Sequence, residues 1–157
     1  MKLNLYISAA LLAAITSIPA QAQGAASKPG NCAIYAELSA QTVKKDARFD
    51  GHDEIAPALM KFAAAQSAKL EASMEETYAT SKAFGWDKAK VDAMIKENDA
   101  AIRAGFFTST MEKSKLYMDH VQAVYACGAA QTIPSDLGQP PDDFTAVLQK
   151  MAKLVIG

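Results

Sequence analysis

Two cysteines, Cys32 and Cys127, stand far apart in a chain whose hydrophobic pattern reads as helix between them. If they pair, the start of the first helix is tied to the end of the fourth, and few helical arrangements satisfy that tie. Pairing needs an oxidising compartment. The first residues argue for one. Lys2 precedes an apolar run from Leu5 to about Ile18, followed by Pro19 and the small-x-small signature Ala20-Gln21-Ala22. This pattern predicts a secretory signal peptide over residues 1–22, cleaved after Ala22. The run falls short of the ~20 residues a comfortable membrane span requires. Cys32 follows Lys28-Pro29-Gly30-Asn31 rather than the apolar run, which argues against a lipid-anchored cysteine. An even cysteine count in an exported chain favours a Cys32–Cys127 disulfide over two separate thiols. No Cys-x-x-Cys occurs, so a thioredoxin-like redox role has no motif.

Residues 23–30 read as a flexible leader of small and polar residues, and 31–157 as a single helical domain. The charges, 16 basic against 17 acidic, are interspersed without a basic stripe. Nucleic-acid binding therefore lacks its electrostatic footprint. No later segment is apolar enough to span a bilayer, so no membrane association is expected after signal cleavage.

Helical spacing organises the rest. Asn31 is a candidate cap for a first helix to about Lys45, with Ile34 and Leu38 on one face. A second helix runs from about Glu54 to Ala83, with Ile55, Leu59, Phe62, Leu70, Met74 and Tyr78 as its stripe. Asp87 can cap a third helix to about Ala104, and Trp86 can staple onto Val91. The stretch Ser109-Thr110-Met111-Glu112 reads as a capping box that opens a fourth helix to Cys127. Its apolar face carries Leu116, Val121 and Val124. Residues 129–143, with Pro134, Gly138, Pro140 and Pro141, read as a loop. A last helix to Val155 places Phe144, Val147, Leu148, Met151 and Val155 at helical spacing. No stretch alternates with period two. The fold class is all-α: a small bundle of four main helices plus a C-terminal helix, with one disulfide. If the disulfide forms and the first and fourth helices run alongside one another, they are antiparallel, with Leu38 near Val121 and Thr42 near Tyr117; the alternative is a crossed pair that diverges past the disulfide and leaves Leu38 against the second helix.

One stretch, Asp46 to Pro57, resembles half of a calcium loop. An EF-hand needs oxygen ligands at loop positions 1, 3, 5 and 12 and glycine at 6. Counting from Asp46, Asp50 and Gly51 fit, but Arg48 and Pro57 occupy ligand positions. An irregular metal site of Asp46, Asp50, His52 and Asp53 competes with a plainer reading, a turn at Asp50-Gly51 and a helix cap at Asp53. The latter is preferred, and no metal or cofactor is assigned. Haem has no Cys-x-x-Cys-His. Di-iron chemistry has no Glu-x-x-His, since Tyr117 stands three before His120. His120 reads as a surface or boundary histidine. The scattered methionines read as core filler. No nucleophile elbow, zinc motif or phosphate-cradling loop occurs, so no catalytic residue is assigned.

Aromatic pairs flank the third helix: Phe84 and Trp86 before it, Phe106 and Phe107 after it. A helix of ~25 Å keeps the pairs apart. Each can plug an end of the bundle or edge a ligand groove or partner site. Together these readings describe an exported protein, placed in a bacterial periplasm ahead of the extracellular space, whose expected role is to bind a protein or peptide partner without catalysis. A small-molecule or metal carrier is the second reading, an enzyme the third.

Overall fold

The structure, a computed structural model, describes residues 29–106, 112–129 and 142–157. The expected signal peptide, most of the leader, Phe107, the first three residues of the expected capping box and most of the proline-rich loop lie outside the described residues. Every regular element described is helical: α1 (Pro29–Val43), α2 (Ile55–Ala83), α3 (Lys88–Phe106), α4 (Met118–Ala129) and α5 (Asp142–Ile156), with a 3-10 turn at Ala47–Phe49. The all-α reading with one disulfide therefore holds.

α1 is the central helix. Asn31, Cys32, Ala33, Ile34, Ala36, Leu38, Ser39, Ala40, Thr42 and Val43 are all buried, spread around its circumference. A helix surrounded on all sides has no single apolar stripe, which is why its sequence shows few periodic positions. Its small residues let α2, α3 and α4 approach, and all three pack on it. The buried hydroxyl of Thr42 donates to Leu38 O at 2.8 Å. Helix α1 begins at Pro29, two residues before the expected cap. Proline suits a first turn because its missing amide would have no intrahelical acceptor there. Asn31 therefore lies inside the helix, and the leader expected to reach Gly30 has become helical by its last two residues.

Helix α2 buries Ile55, Ala56, Leu59, Phe62, Ala63 and Gln66 against the core, then runs on from Ser67 to Ala83 without another buried residue. Helix α5 lies across its first half. Phe144 stacks on Phe62 with ring centroids 4.3 Å apart, and Leu148, Met151 and Ala152 complete the same face. Burying a ring such as Phe144 stabilises by roughly 1.5–3 kcal/mol.

The disulfide joins Cys32 to Cys127 with Cα atoms 5.5 Å apart, and both cysteines are fully buried. At the other end of α1, an Asp46 oxygen accepts the amide of Leu116 at 2.8 Å, just before α4. Both ends of the α1–α4 pair are thus tied start to end, so the two helices run antiparallel, as the cysteine argument predicts.

Three local readings need correction. Helix α4 starts at Met118, and residues 112–117 are not helical. Leu116, expected on the face of α4, is fully buried but in the preceding segment, where Asp46 and Arg48 take its backbone groups. Asp53 does not cap α2. Glu54 holds the cap position without a side-chain bond, and Ile55 N donates to His52 O instead. Helix α3 continues through Gly105 to Phe106. The expected cap at Asp87 is present: its Oδ1 accepts Lys90 N at 2.8 Å.

Candidate functional site

Between α1, α2 and α3 lies an open groove of ≈ 810 Å³. Its origin is the length of α2. The first turn of α1 meets α2 at Gly30, where a Cβ would lie 3.0 Å from Leu70 Cδ2. Beyond this level α2 and α3 continue as a hairpin. Tyr78 Oη donates to Asp92 Oδ1 at 2.5 Å near the turn. Met60, Ala63, Ala64, Ser67, Leu70 and Met74 form one wall, Val91, Met94 and Ile95 the other, and Ala33 and Ile34 the floor. The α2 positions recur at steps of three and four, so they share a face.

Several polar groups of the groove are paired across its helices. Asn98 Nδ2 donates to Asn31 Oδ1 at 2.8 Å. Arg103 bonds Glu37 at 2.8 Å and Asp99 at 2.5 Å, joining α3 to α1. The Glu37 hydrogen bond is the largest influence on the guanidinium and holds it in its charged form, against a smaller opposing effect of burial. On α2, Ser73 Oγ donates to Leu70 O at 2.8 Å and Thr77 Oγ1 to Ser73 O at 2.9 Å. These hydroxyls are turned back onto their own helix, so neither is set beside a base as a nucleophile. The lining includes no histidine or cysteine. What the groove offers a ligand is apolar contact.

The aromatic residues singled out from the sequence separate. Phe84 is 74% exposed at the hairpin turn, and Trp86, 36% exposed, stands at the groove rim. Phe84 therefore does not plug the bundle. Phe106 does: it is buried, stacked on His120 with centroids 4.0 Å apart, and 6.4 Å from Tyr35. It contributes nothing to an exposed face. Phe107 lies outside the described residues. Of the methionines, Met151 is core, whereas Met60 and Met94, each 44% exposed, line the groove. The reading of core filler fails for these two.

Asp46 is not poised for a metal. Arg48 bonds both its oxygens, at 3.0 and 2.6 Å, and the amides of Arg48 and Leu116 donate to it as well. Burial alone would push its carboxyl up, but these bonds and the Arg48 charge outweigh it and hold the group below the usual range. Arg48 also donates to Val155 O at 3.1 Å and to Leu116 O, so one guanidinium joins the turn, α5 and the lead-in to α4. Asp50 and Asp53 are exposed and His52 half-exposed. His52 N donates to Phe49 O at 3.0 Å, closing a tight turn that places Gly51 at φ 78°. A positive φ there suits glycine and matches a type II turn. Among the described residues no three of His, Cys, Asp or Glu assemble as a metal site.

His120 is buried rather than superficial. Its Nδ1 accepts the Tyr117 amide at 3.1 Å, so Nε2 carries the proton and donates to Phe106 O at 2.8 Å. The ring performs the backward half of a capping box at the start of α4, a task usually given to glutamate or glutamine. Burial pushes its pKa down, opposed by the Phe106 hydrogen bond and the nearby Asp119 charge.

The chain matches no protein-family model, no curated protein and no solved structure.

Proposed function

We propose that this chain is an exported, non-enzymatic binding protein that holds an apolar segment of a partner protein or peptide in the α1–α2–α3 groove. The observation that carries the reading is the state of the groove's polar groups. Asn31 with Asn98, and Arg103 with Glu37 and Asp99, already satisfy one another, while the apolar walls stand open. The groove follows α2 from Met60 to Ser81, about 30 Å. An amphipathic helix offers a contact of that length, with anchors at helical spacing. Met60, Met74 and Met94 supply flexible, polarisable walls that adapt to the side chains they meet. Export is supported by the apolar run Leu5 to Ile18 before Ala20-Gln21-Ala22 and by the disulfide. Among the described residues no helix is long and apolar enough to cross a membrane. In a bacterial host the compartment is the periplasm.

The volume also supports a second reading. Pockets of roughly 300–1,000 Å³ hold small molecules, and an apolar carrier would need the same walls. The test compares wild type with Ala64→Trp, which fills the groove from the α2 wall. Both are used to capture proteins from the exported fraction of the native host. A partner kept by wild type and lost by Ala64→Trp, and shifting the methyl resonances of Met60, Met74 and Met94 when purified, supports the proposal. Equal capture by both forms overturns it. A bound small molecule in native mass spectra, displaced by Ala64→Trp, establishes the carrier instead.

A further inference from the structure

The apex of the α2–α3 hairpin has a composition the groove does not account for. It reads SKAFGWDKAK from Ser81 to Lys90. Lys82, Phe84, Trp86, Lys88 and Lys90 are all exposed, so two aromatic rings are flanked by three bases around one turn. Tight turns are ordinarily built from small and polar residues, and Gly85, at φ 75°, is the one this turn requires. Phe84 is not needed for the turn and remains 74% exposed. Within Ser81–Lys90 the one acid, Asp87, caps α3, and the neighbouring Asp92 accepts the Tyr78 hydroxyl. Two of the lysines lie over aromatic faces: Lys88 Nζ is 5.1 Å from the Tyr78 ring centroid and Lys90 Nζ 4.9 Å from that of Trp86. Each such pair joins an apolar body to a charged tip. The last buried residue of α2 is Gln66, so the apex lies about 25 Å further along that helix.

Aromatic rings with a polar edge concentrate at the headgroup level of bilayers. Lysines beside them gain from anionic headgroups. Reversible attachment without a span needs both contributions. We infer that the hairpin apex is a peripheral docking site for an anionic lipid surface, with Phe84 and Trp86 at headgroup depth and Lys82, Lys88 and Lys90 against the lipid phosphates. A fluid headgroup layer supplies apolar and anionic complements side by side around an exposed turn, whereas a protein partner would need a pocket shaped for Phe84 between acidic groups. No membrane-spanning helix is required, and although Trp86 is shared with the groove rim, Lys82, Phe84, Lys88 and Lys90 do not line the groove.

Trp86 is the single tryptophan of the chain, so its emission reports on the apex and the adjoining groove rim, and the Phe84 and lysine variants, outside the groove lining, separate the two. The purified protein is mixed with vesicles of equimolar phosphatidylglycerol and phosphatidylcholine, and separately with pure phosphatidylcholine vesicles. The expected result is a blue shift and quenching by brominated lipid with the anionic vesicles, and little change with the neutral ones. Each lysine removed weakens partitioning about fivefold. The triple variant Lys82→Gln, Lys88→Gln, Lys90→Gln therefore loses roughly a hundredfold, and Phe84→Ser weakens binding with unchanged helical circular dichroism. Unmoved Trp86 emission on anionic vesicles overturns the inference, as does undiminished sedimentation of the triple variant. The same shift with soluble glycerol phosphate alone would assign the apex to a free anion and also overturn it.

Discussion

The carboxylate of Asp46 accepts the backbone amide of Leu116 at 2.8 Å across seventy residues of sequence. The same carboxylate is bonded by Arg48, whose guanidinium continues to the carbonyl of Val155. Replacing Asp46 by Ala leaves the buried Leu116 amide without its acceptor and the Arg48 guanidinium without its carboxylate partner. Urea denaturation should show a loss of about 2–3 kcal/mol. Asp50→Ala, on an exposed turn position, should stay within about 0.5 kcal/mol of wild type. Equal losses for the two would mean that the Asp46 network adds nothing.

Calcium should leave the protein unmoved. The Asp46 oxygens are committed to Arg48 and Leu116, and the exposed Asp50 and Asp53 cannot complete a shell of six to eight oxygens. Melting curves with and without millimolar calcium should superimpose. A rise of several degrees that vanishes in Asp50→Ala would refute this.

The disulfide closes a sequence separation of 95. Chain-entropy reasoning assigns such a cross-link on the order of 4 kcal/mol. The double variant Cys32→Ala, Cys127→Ala should lose an amount of that order in chemical denaturation. In the unreduced wild type, unfolding should expose no labelable thiol, and two labelled thiols by intact mass would show the bond absent.

His120 makes stability depend on pH in a stated direction. The folded protein holds the neutral ring, with its pKa depressed chiefly by burial. The unfolded chain takes up that proton near pH 6.5. Below that pH the unfolded state binds more protons, so stability falls as pH drops from about 6.5 towards the depressed folded value, and is fully present above it. The Tm of wild type should fall more between pH 7 and pH 5 than that of His120→Gln. Parallel curves would assign the slope to groups other than His120.

Helix α5 was legible from sequence because Phe144, Leu148 and Met151 repeat at helical spacing and are buried where that spacing puts them. The same was true of the first half of α2. Its second half was not, because Leu70 and Met74 continue the apolar pattern past the point where core helices cover it, and periodicity does not say where cover ends. The start of α4 was misplaced because the capping box is a local signal. The backbone of Leu116 is instead taken by Asp46 and Arg48, residues remote in sequence. His120 was misjudged for the same reason, since its acceptor is Phe106 O and its ring neighbour is Phe106. The groove's polar end, Asn31 with Asn98 and Glu37 with Arg103, gives no sequence signal, because its partners come from different helices. Exposed Met60 and Met94 were visible, but an apolar residue at helical spacing reads as core until the fold shows what covers it.

The covalent bond at Cys32 sits one residue from Asn31, which holds α3 through Asn98. The hairpin is therefore rooted beside the bond that fastens α1 to α4. A pull on the apex, as from a tethered surface or a bound partner, travels down α2 and α3 as down two struts and arrives at that root. There the hairpin is held by side-chain packing and the Asn31–Asn98 hydrogen bond, and the sulfur–sulfur linkage keeps α1 itself from parting from α4. The rivet thus lies one layer behind the hinge: it fixes the post on which the hairpin is hung, not the hairpin itself.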